Sequence, residues 1–210
     1  MPEAEWRDAW KRYFKVSHLT REFVVVPSWE TYEPKPGEVI IDLDPGMAFG
    51  TGTHASTRLV LEELQALADA GVSPARILDV GCGSGILSIA AVKRWPAATC
   101  VAVDNDPIAV QATAENALAN KVADRIDGSV TPCGELTESF PLVLANIQAH
   151  VLRELKDALV ARTAGTIILS GLLTPQAAPL ADEFVAAGLR LVAIRPSKDD
   201  PQWSSAVLAR

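Results

Sequence analysis

Ile77-Leu78-Asp79-Val80-Gly81-Cys82-Gly83-Ser84-Gly85-Ile86-Leu87 is the stretch that decides the fold. Its first apolar residues predict a short strand, its three glycines a turn, and its last residues the start of a helix. Glycine tolerates positive φ and, having no Cβ, lets backbone N–H groups approach a ligand closely. A strand, a glycine turn and a helix in this order are typical of the nucleotide-binding crevice of a doubly wound parallel sheet. The stretch therefore predicts an α/β fold with a ligand site at this turn.

The spacing of the glycines departs from the dinucleotide fingerprint, which reads G-x-G-x-x-G. Ile86 stands where the third glycine is expected, which argues against a nicotinamide dehydrogenase. A second acidic residue, Asp104, ends the next apolar stretch about 20 residues past the glycines, where an acid holds ribose hydroxyls in such sheets. The alternative is that Asp104 only caps the helix that begins at Pro107.

Asp79-x-Gly81-x-Gly83-x-Gly85 resembles the first motif of the S-adenosylmethionine-dependent methyltransferases. The resemblance implies S-adenosylmethionine as the cofactor, with Asp79 and the three glycines of the motif among its binding residues. This cofactor has no pyrophosphate, but it carries an ammonium, a carboxylate and a sulfonium. A carboxylate near the loop is therefore electrostatically favourable.

Strands and helices alternate regularly after residue 75, which predicts a mainly parallel sheet covered by helices on both faces. The predicted strands are 76–80, 99–104, 125–129, 141–145, 165–170, 189–195 and 203–208. The predicted helices are 85–94, 107–119, 148–160 and 175–187. The short approach to the last strand predicts an antiparallel hairpin with the strand before it. We expect a Rossmann-like, doubly wound, seven-stranded domain at residues 43–210, after an extension of a short helix and strands at residues 1–42.

The composition fits a folded, acidic enzyme. Hydrophobic residues make up 49% of the 210 residues, which is enough to bury a full core. The net charge of −7 argues against direct nucleic-acid binding and favours a cationic protein substrate. Cys82, Cys100 and Cys133 share no metal-ligand spacing, so neither a metal site nor a disulfide framework is expected. No signal peptide or long apolar span is visible, which predicts a cytoplasmic protein without a membrane partner.

A glycine-rich segment precedes the predicted cofactor domain. Its Gly50-Thr51-Gly52-Thr53 lacks the Lys-Ser/Thr ending of a Walker A loop, which excludes that kind of phosphate site. Phe49, Thr51 and His54 in so flexible a segment predict a flap over the ligand, with an ordinary polar turn as the alternative. Thr53 is predicted to cap the helix that follows.

A predicted strand ends in Asn146, at the carboxyl edge of the sheet where a reacting methyl group would lie. Methyltransferases that act on planar nitrogens usually carry Asn/Asp-Pro-Pro-aromatic at this position. Asn146-Ile147-Gln148-Ala149 has neither the prolines nor the aromatic residue, which favours an aliphatic amine as the acceptor. We expect Asn146 and the flap to orient that amine, and the alternative role of Asn146 is to cap a helix.

Four segments together resemble the PrmA-type ribosomal protein methyltransferases: Leu43–His54, the glycine loop Asp79–Gly85, Val103–Pro107 and Ala145–Ile147. That family methylates lysine side chains and the terminal amine of the eleventh protein of the large ribosomal subunit. The resemblance implies the same reaction here, with a ribosomal protein as partner and substrate. It also implies the site: cofactor contacts at Thr51, Thr57, Gly81, Asp104 and Asn146, and catalytic roles for Phe49, His54 and Asn146.

Family members usually begin with a separate recognition domain, whereas here the linker segment starts almost at Met1. We therefore expect weak methylation of the ribosomal protein. The spacing of Trp6, Trp10, Tyr13 and Phe14 predicts an aromatic face on a short helix, packed on the protein's own core or on another copy. The alternative is a docking face for a partner or a missing domain. A small-molecule methyltransferase and a non-catalytic cofactor-binding module are the alternative functions.

Overall fold

Two β-sheets with connecting helices make up the structure, a computed structural model that describes residues 14–44 and 54–210. The smaller sheet contains β1 (Ser17–His18), β2 (Phe23–Val26) and β3 (Val39–Asp42). The larger sheet contains β4 (Arg76–Val80), β5 (Thr99–Val103), β6 (Ile126–Ser129), β7 (Phe140–Asn146), β8 (Thr163–Leu173), β9 (Arg190–Pro196) and β10 (Trp203–Ala209). The α-helices are α1 (Ala55–Asp69), α2 (Ile86–Arg94), α3 (Pro107–Ala119), α4 (Ala149–Glu154), α5 (Lys156–Arg162) and α6 (Thr174–Ala186). The predicted α/β class is confirmed.

The strand order of the larger sheet places the glycine turn at its centre. The order is β6–β5–β4–β7–β8–β10–β9. Strand β4 pairs in parallel with β5 on one side and with β7 on the other, so the direction of winding reverses at β4. In doubly wound sheets, ligands bind at the carboxyl ends of the strands beside this reversal. The glycine turn follows β4 directly and therefore lies at that point.

The last strands confirm the predicted hairpin. Strand β10 is antiparallel to both β8 and β9. Strand β9 is therefore parallel to β8, and the loop after it, residues 197–202, lies at the carboxyl edge of the sheet.

One predicted element is wrong. The stretch 148–160 is not one helix but two, α4 and α5, with a break at Leu155. Proline and glycine are both absent from this stretch. The residues that most often interrupt a helix therefore give no signal of the break.

Side chains of the larger sheet's helices attach the smaller sheet to it. Asn120, directly after α3, accepts from the Asp42 N–H at 2.9 Å and donates to the Asp42 carbonyl at 2.7 Å. Lys93 Nζ of α2 donates to the Ile40 carbonyl, also at 2.7 Å. Both contacts bind the backbone of β3, so this strand has a defined position on α2 and α3.

Apolar side chains fill both faces of the larger sheet. One buried cluster packs against α1 and α2, and a second packs against α4, α5 and α6. Cys82, Cys100 and Cys133 are free, buried thiols. Within the described part of the chain, no helix is long and apolar enough to cross a membrane. In the same part, no group of three or more His, Cys, Asp or Glu residues could hold a metal ion.

Candidate functional site

The glycine turn after β4 has a backbone that suits glycine. Gly81, Gly83 and Gly85 have φ angles of +76°, +56° and +78°, in the region that L side chains rarely adopt. The Gly81 N–H donates to the Val103 carbonyl at the end of β5, at 2.8 Å. A Cβ at Gly81 would overlap Cγ2 of Ile147, the residue after β7. The turn is therefore packed closely against the ends of both neighbouring strands.

Asp104 follows β5, and its carboxylate is bound by two backbone N–H groups. Oδ2 accepts from Gly83 and Oδ1 accepts from Asp106, each at 3.0 Å. The carboxylate thus helps to fix the glycine turn, and its half-exposed oxygens keep lone pairs for a ligand. The cap of α3 is Asp106, whose side chain accepts from the Ile108 N–H. The alternative role of Asp104 as that cap is therefore wrong.

Asp79 lies beneath the turn, with an exposed fraction of 0%. Its Oδ2 accepts from the N–H and the hydroxyl of Ser88, at 3.1 and 2.6 Å. Its Oδ1 has no hydrogen-bond partner among the residues that the structure describes. Burial raises the pKa of Asp79 to about 6, and the nearby charge of Asp104 adds to the rise. A cationic ligand at the turn would stabilise the ionised form of this carboxylate.

Asn146 ends β7 at the same edge of the sheet, and its side chain is half-exposed. Its Nδ2 donates to Thr57 Oγ1 at 3.3 Å. Thr57 is in the first turn of α1 and is only 2% exposed. With the amide nitrogen held by Thr57, the amide oxygen is oriented to accept hydrogen bonds from a ligand. The cap of α4 is Gln148, so the alternative role of Asn146 as a helix cap is wrong.

His54 caps α1, because its Nδ1 accepts from the Ser56 N–H at 3.2 Å. The prediction that Thr53 is the cap is therefore wrong. The His54 ring also meets Trp203 edge-on, with the ring centroids 4.6 Å apart. His54 thus joins the helix that carries Thr57 to the start of β10.

A groove of about 530 Å³ opens beside His54 and is lined by Ala55, Arg58, Asp199 and Asp200. Arg58 Nη1 pairs with Asp199 at 2.7 Å. The Asp200 side chain accepts from Gln202 within the same loop, at 2.9 Å. The groove therefore holds one ion pair and the carboxylate of Asp200, uncompensated among the described residues, at the edge of the sheet that carries Asn146.

The whole chain, residues 1–210, matches the model of a family described as ribosomal protein L11 methyltransferase (PrmA). The chain belongs to that family. Relatives named ribosomal protein L11 methyltransferase from Geotalea daltonii and Geobacter metallireducens are 42% and 44% identical to it, over 95% and 96% of this chain. The chain spans 66% and 65% of the lengths of these two relatives.

Solved structures share the fold of this L11 methyltransferase family member. A ribosomal protein L11 methylase from Lactobacillus delbrueckii subsp. bulgaricus has a TM-score of 0.82 at 32% identity, over 94% of this chain and 99% of that one. The N-methyltransferase NodS from Bradyrhizobium japonicum, in complex with S-adenosyl-L-homocysteine, has a TM-score of 0.61 over 77% of this chain and 91% of that one. At 16% identity, the likeness to NodS concerns the fold alone.

The structure brings most of the residues implied by the L11 methyltransferase resemblance to one edge of the larger sheet: His54, Thr57, Gly81, Gly83, Gly85, Asp104 and Asn146. Asp79 lies behind this edge and faces Ser88 of α2. Phe49 and Thr51 lie outside the described residues, as do Trp6, Trp10 and Tyr13 of the predicted aromatic face. Their predicted roles therefore stay predictions.

The sequence interpretation missed two exposed apolar side chains near Asp104. Ile108, in the first turn of α3, and Val130, directly after β6, are each 54% exposed. The Asp104 N–H donates to the Ser129 carbonyl at 3.2 Å, which brings the end of β6 beside Asp104. The sequence positions of these residues could have indicated this surface, because one apolar residue directly follows a strand and the other lies at a helix start, both next to a predicted ligand site.

Proposed function

We propose that this chain transfers methyl groups from S-adenosylmethionine to amine nitrogens of a ribosomal protein, the protein L11 named for its relatives. The observation that carries the proposal is the Asn146 amide, which Thr57 holds by its nitrogen beside the glycine turn. An amide oxygen accepts a hydrogen bond from an amine and therefore orients its nitrogen. The carboxylate of Asp200 in the neighbouring groove supports a cationic acceptor. Because a ribosomal protein is found in the cytoplasm, we expect this chain to act there.

The glycine turn and Asp104 fit this cofactor. Because two backbone N–H groups already fix the Asp104 oxygens, a ribose diol would meet an acceptor with a set orientation. Ile108 and Val130 offer apolar surface to an adenine ring at the same end of the sheet. Asp79 places negative charge behind the turn, and this charge attracts the ammonium and the sulfonium of the cofactor. When bound, the cofactor supplies a methyl group on a positively charged sulfur.

The protein's part in the reaction is to hold a neutral amine in line with that methyl group. A lysine with its ordinary pKa of about 10.4 is protonated at pH 7, and only its neutral form is a nucleophile. The apolar, half-buried Ile147 follows Asn146, and desolvation there favours the neutral amine. Asn146 then fixes the direction of the nitrogen lone pair. Such orientation supplies effective molarities of up to roughly 10⁵–10⁸ M.

Methyl transfer from isotopically labelled S-adenosylmethionine to purified L11 tests the proposal, with mass spectrometry to locate the label. We expect label on lysine Nζ atoms and on the terminal amine, and none on L11 whose amines have been acetylated. Asn146→Ala should remove most of the transfer. Label only on small amines would refute the protein substrate. Cofactor binding without transfer to any acceptor would indicate a binding module instead.

Asp104→Ala should weaken the binding of S-adenosylmethionine by about 10- to 150-fold, which corresponds to about 1.5–3 kcal/mol for hydrogen bonds to a charged group. The variant removes the ribose acceptor and also releases the Gly83 N–H. Asp106→Ala is the matched control, since it removes the cap of α3 and should lower the free energy of unfolding by about 1 kcal/mol. Calorimetric titration measures both affinities. Equal losses of affinity in the two variants would contradict the role of Asp104.

A further inference from the structure

Ser170 lies where β8 passes Asn146, since the two residues are partners in the strand register. Its side chain is 0% exposed. Its hydroxyl donates to the Ser56 carbonyl at 2.8 Å, across 114 residues of sequence. A fully buried hydroxyl is nearly always hydrogen-bonded. Here its partner is the backbone of the helix turn that carries Thr57.

The bond from Ser170 adds to the bonds that α1 makes within itself. A carbonyl in the first turn of a helix already accepts from the N–H four residues later, so Ser56 does not need Ser170 to be satisfied. The extra bond instead ties this turn to the sheet, one residue before Thr57. Thr57 in turn holds the Asn146 amide. The end of β7, the neighbouring part of β8 and the first turn of α1 are therefore joined by two hydrogen bonds.

We propose that Ser170 is a positioning residue for methyl transfer: it fixes the first turn of α1 so that Thr57 aligns the Asn146 amide with the acceptor amine. The inference deepens the proposed function and rests on it. The bond between Thr57 and Asn146 is already long, at 3.3 Å, so a small shift of the turn breaks it. Misplacement of a reacting group by about 1 Å can lower a rate by about 100-fold.

Ser205 provides a matched control. It is also 0% exposed and lies on β10, where its hydroxyl donates to Glu63 Oε1 of the same helix at 3.1 Å. Glu63 lies about two turns along α1 from Ser56, and it keeps its ion pair with Arg195 when Ser205 is removed. Ser205→Ala therefore deletes a buried hydroxyl between sheet and helix without affecting the turn beside Asn146.

The kinetic test compares Ser170→Ala with Ser205→Ala in the full chain. We expect the first to lower kcat about 10-fold or more. The second should leave kcat within about twofold of the parent chain. Ser170→Thr, which keeps the hydroxyl, should restore most of the rate, whereas Ser170→Cys, a weaker donor of similar volume, should not. Equal kcat values for the two alanine variants would overturn the proposal.

The side-chain amide signals of Asn146 in a ¹⁵N–¹H NMR spectrum give a readout that needs no turnover. Ser170→Ala should move these signals and speed their exchange with water, and Ser205→Ala should leave them in place. Unmoved Asn146 signals overturn the positioning role, whatever the activity. If the signals move but the parent chain methylates no acceptor, Ser170 still positions Asn146, and only the proposed function is refuted.

Discussion

Gly81→Ala is expected to weaken the binding of S-adenosylmethionine by about 100-fold or more, from backbone strain of about 1–2 kcal/mol and overpacking of about 1–3 kcal/mol. The strain arises because Gly81 has a φ of +76°. The overpacking arises because the new Cβ overlaps Ile147 Cγ2. Ile147 is β-branched and stiff at χ1, so the turn moves instead of the side chain. Binding must then restore the displaced turn, and calorimetric titration measures the loss.

Two further variants separate the strain from the overlap. Gly71 has a φ of +80°, but a Cβ there meets no atom within 4 Å among the described residues. Gly71→Ala should therefore lower stability by about 1 kcal/mol and leave the affinity unchanged. The double variant Gly81→Ala with Ile147→Ala removes the overlapping methyl group, and the Cβ of residue 147 lies at an ordinary 3.7 Å. This double variant should bind S-adenosylmethionine about 10-fold more tightly than Gly81→Ala does. A double variant that binds as weakly as Gly81→Ala would show that the overlap is not the cause.

The part of the site around the glycine turn could be predicted from sequence because it is built from local pattern. A strand, three glycines and an acid at a fixed spacing determine where a parallel sheet reverses and where its ligand binds. The structure accordingly joins Gly83 to Asp104 through a single hydrogen bond. The alternation of strands and helices predicts the sheet in the same way, and the short approach to the last strand predicts the antiparallel hairpin.

The remaining contacts of the site depend on pairs far apart in sequence, which residue types alone do not reveal. Thr57 and Asn146 are separated by 89 residues, and only the family resemblance singled out Thr57. Ser170 gave no signal at all, since a serine in a strand has many possible partners. The cap of α1 was misassigned for a similar reason. Thr53 and His54 are both possible acceptors, and the contact of His54 with Trp203 is visible only in the structure.

Asp79→Asn is expected to stabilise the fold at neutral pH. The carboxyl is fully buried, with a pKa of about 6 in the folded chain against an ordinary value of about 3.9. Because the folded pKa is the higher one, the stabilisation is complete below pH 4 and is lost as the pH rises through about 6. Asparagine cannot ionise, and its amide oxygen can still accept from Ser88. We expect the variant to gain about 2–3 kcal/mol over the parent at pH 8, and much less at pH 4.

Urea unfolding between pH 4 and pH 8 measures this difference. Asp182→Asn, at an exposed position of α6, makes the same change of charge and should leave the pH dependence of stability unaltered. A parallel pH dependence in Asp79→Asn and the parent chain would show that the buried carboxylate does not carry the effect.

The stability gained by Asp79→Asn should come with a loss of about 10-fold or more in affinity for S-adenosylmethionine. An ionised carboxylate under the glycine turn destabilises the free protein, because burial disfavours its charge and its Oδ1 is unpaired among the described residues. The ammonium and sulfonium of the cofactor offset that cost. The ionised Asp79 carboxylate therefore lowers the free energy of unfolding of the free protein but strengthens cofactor binding. The cofactor should therefore stabilise the parent chain more than the variant at pH 8, and about equally at pH 4. If Asp79→Asn is more stable than the parent chain and binds the cofactor equally tightly, the buried charge of Asp79 does not contribute to cofactor binding.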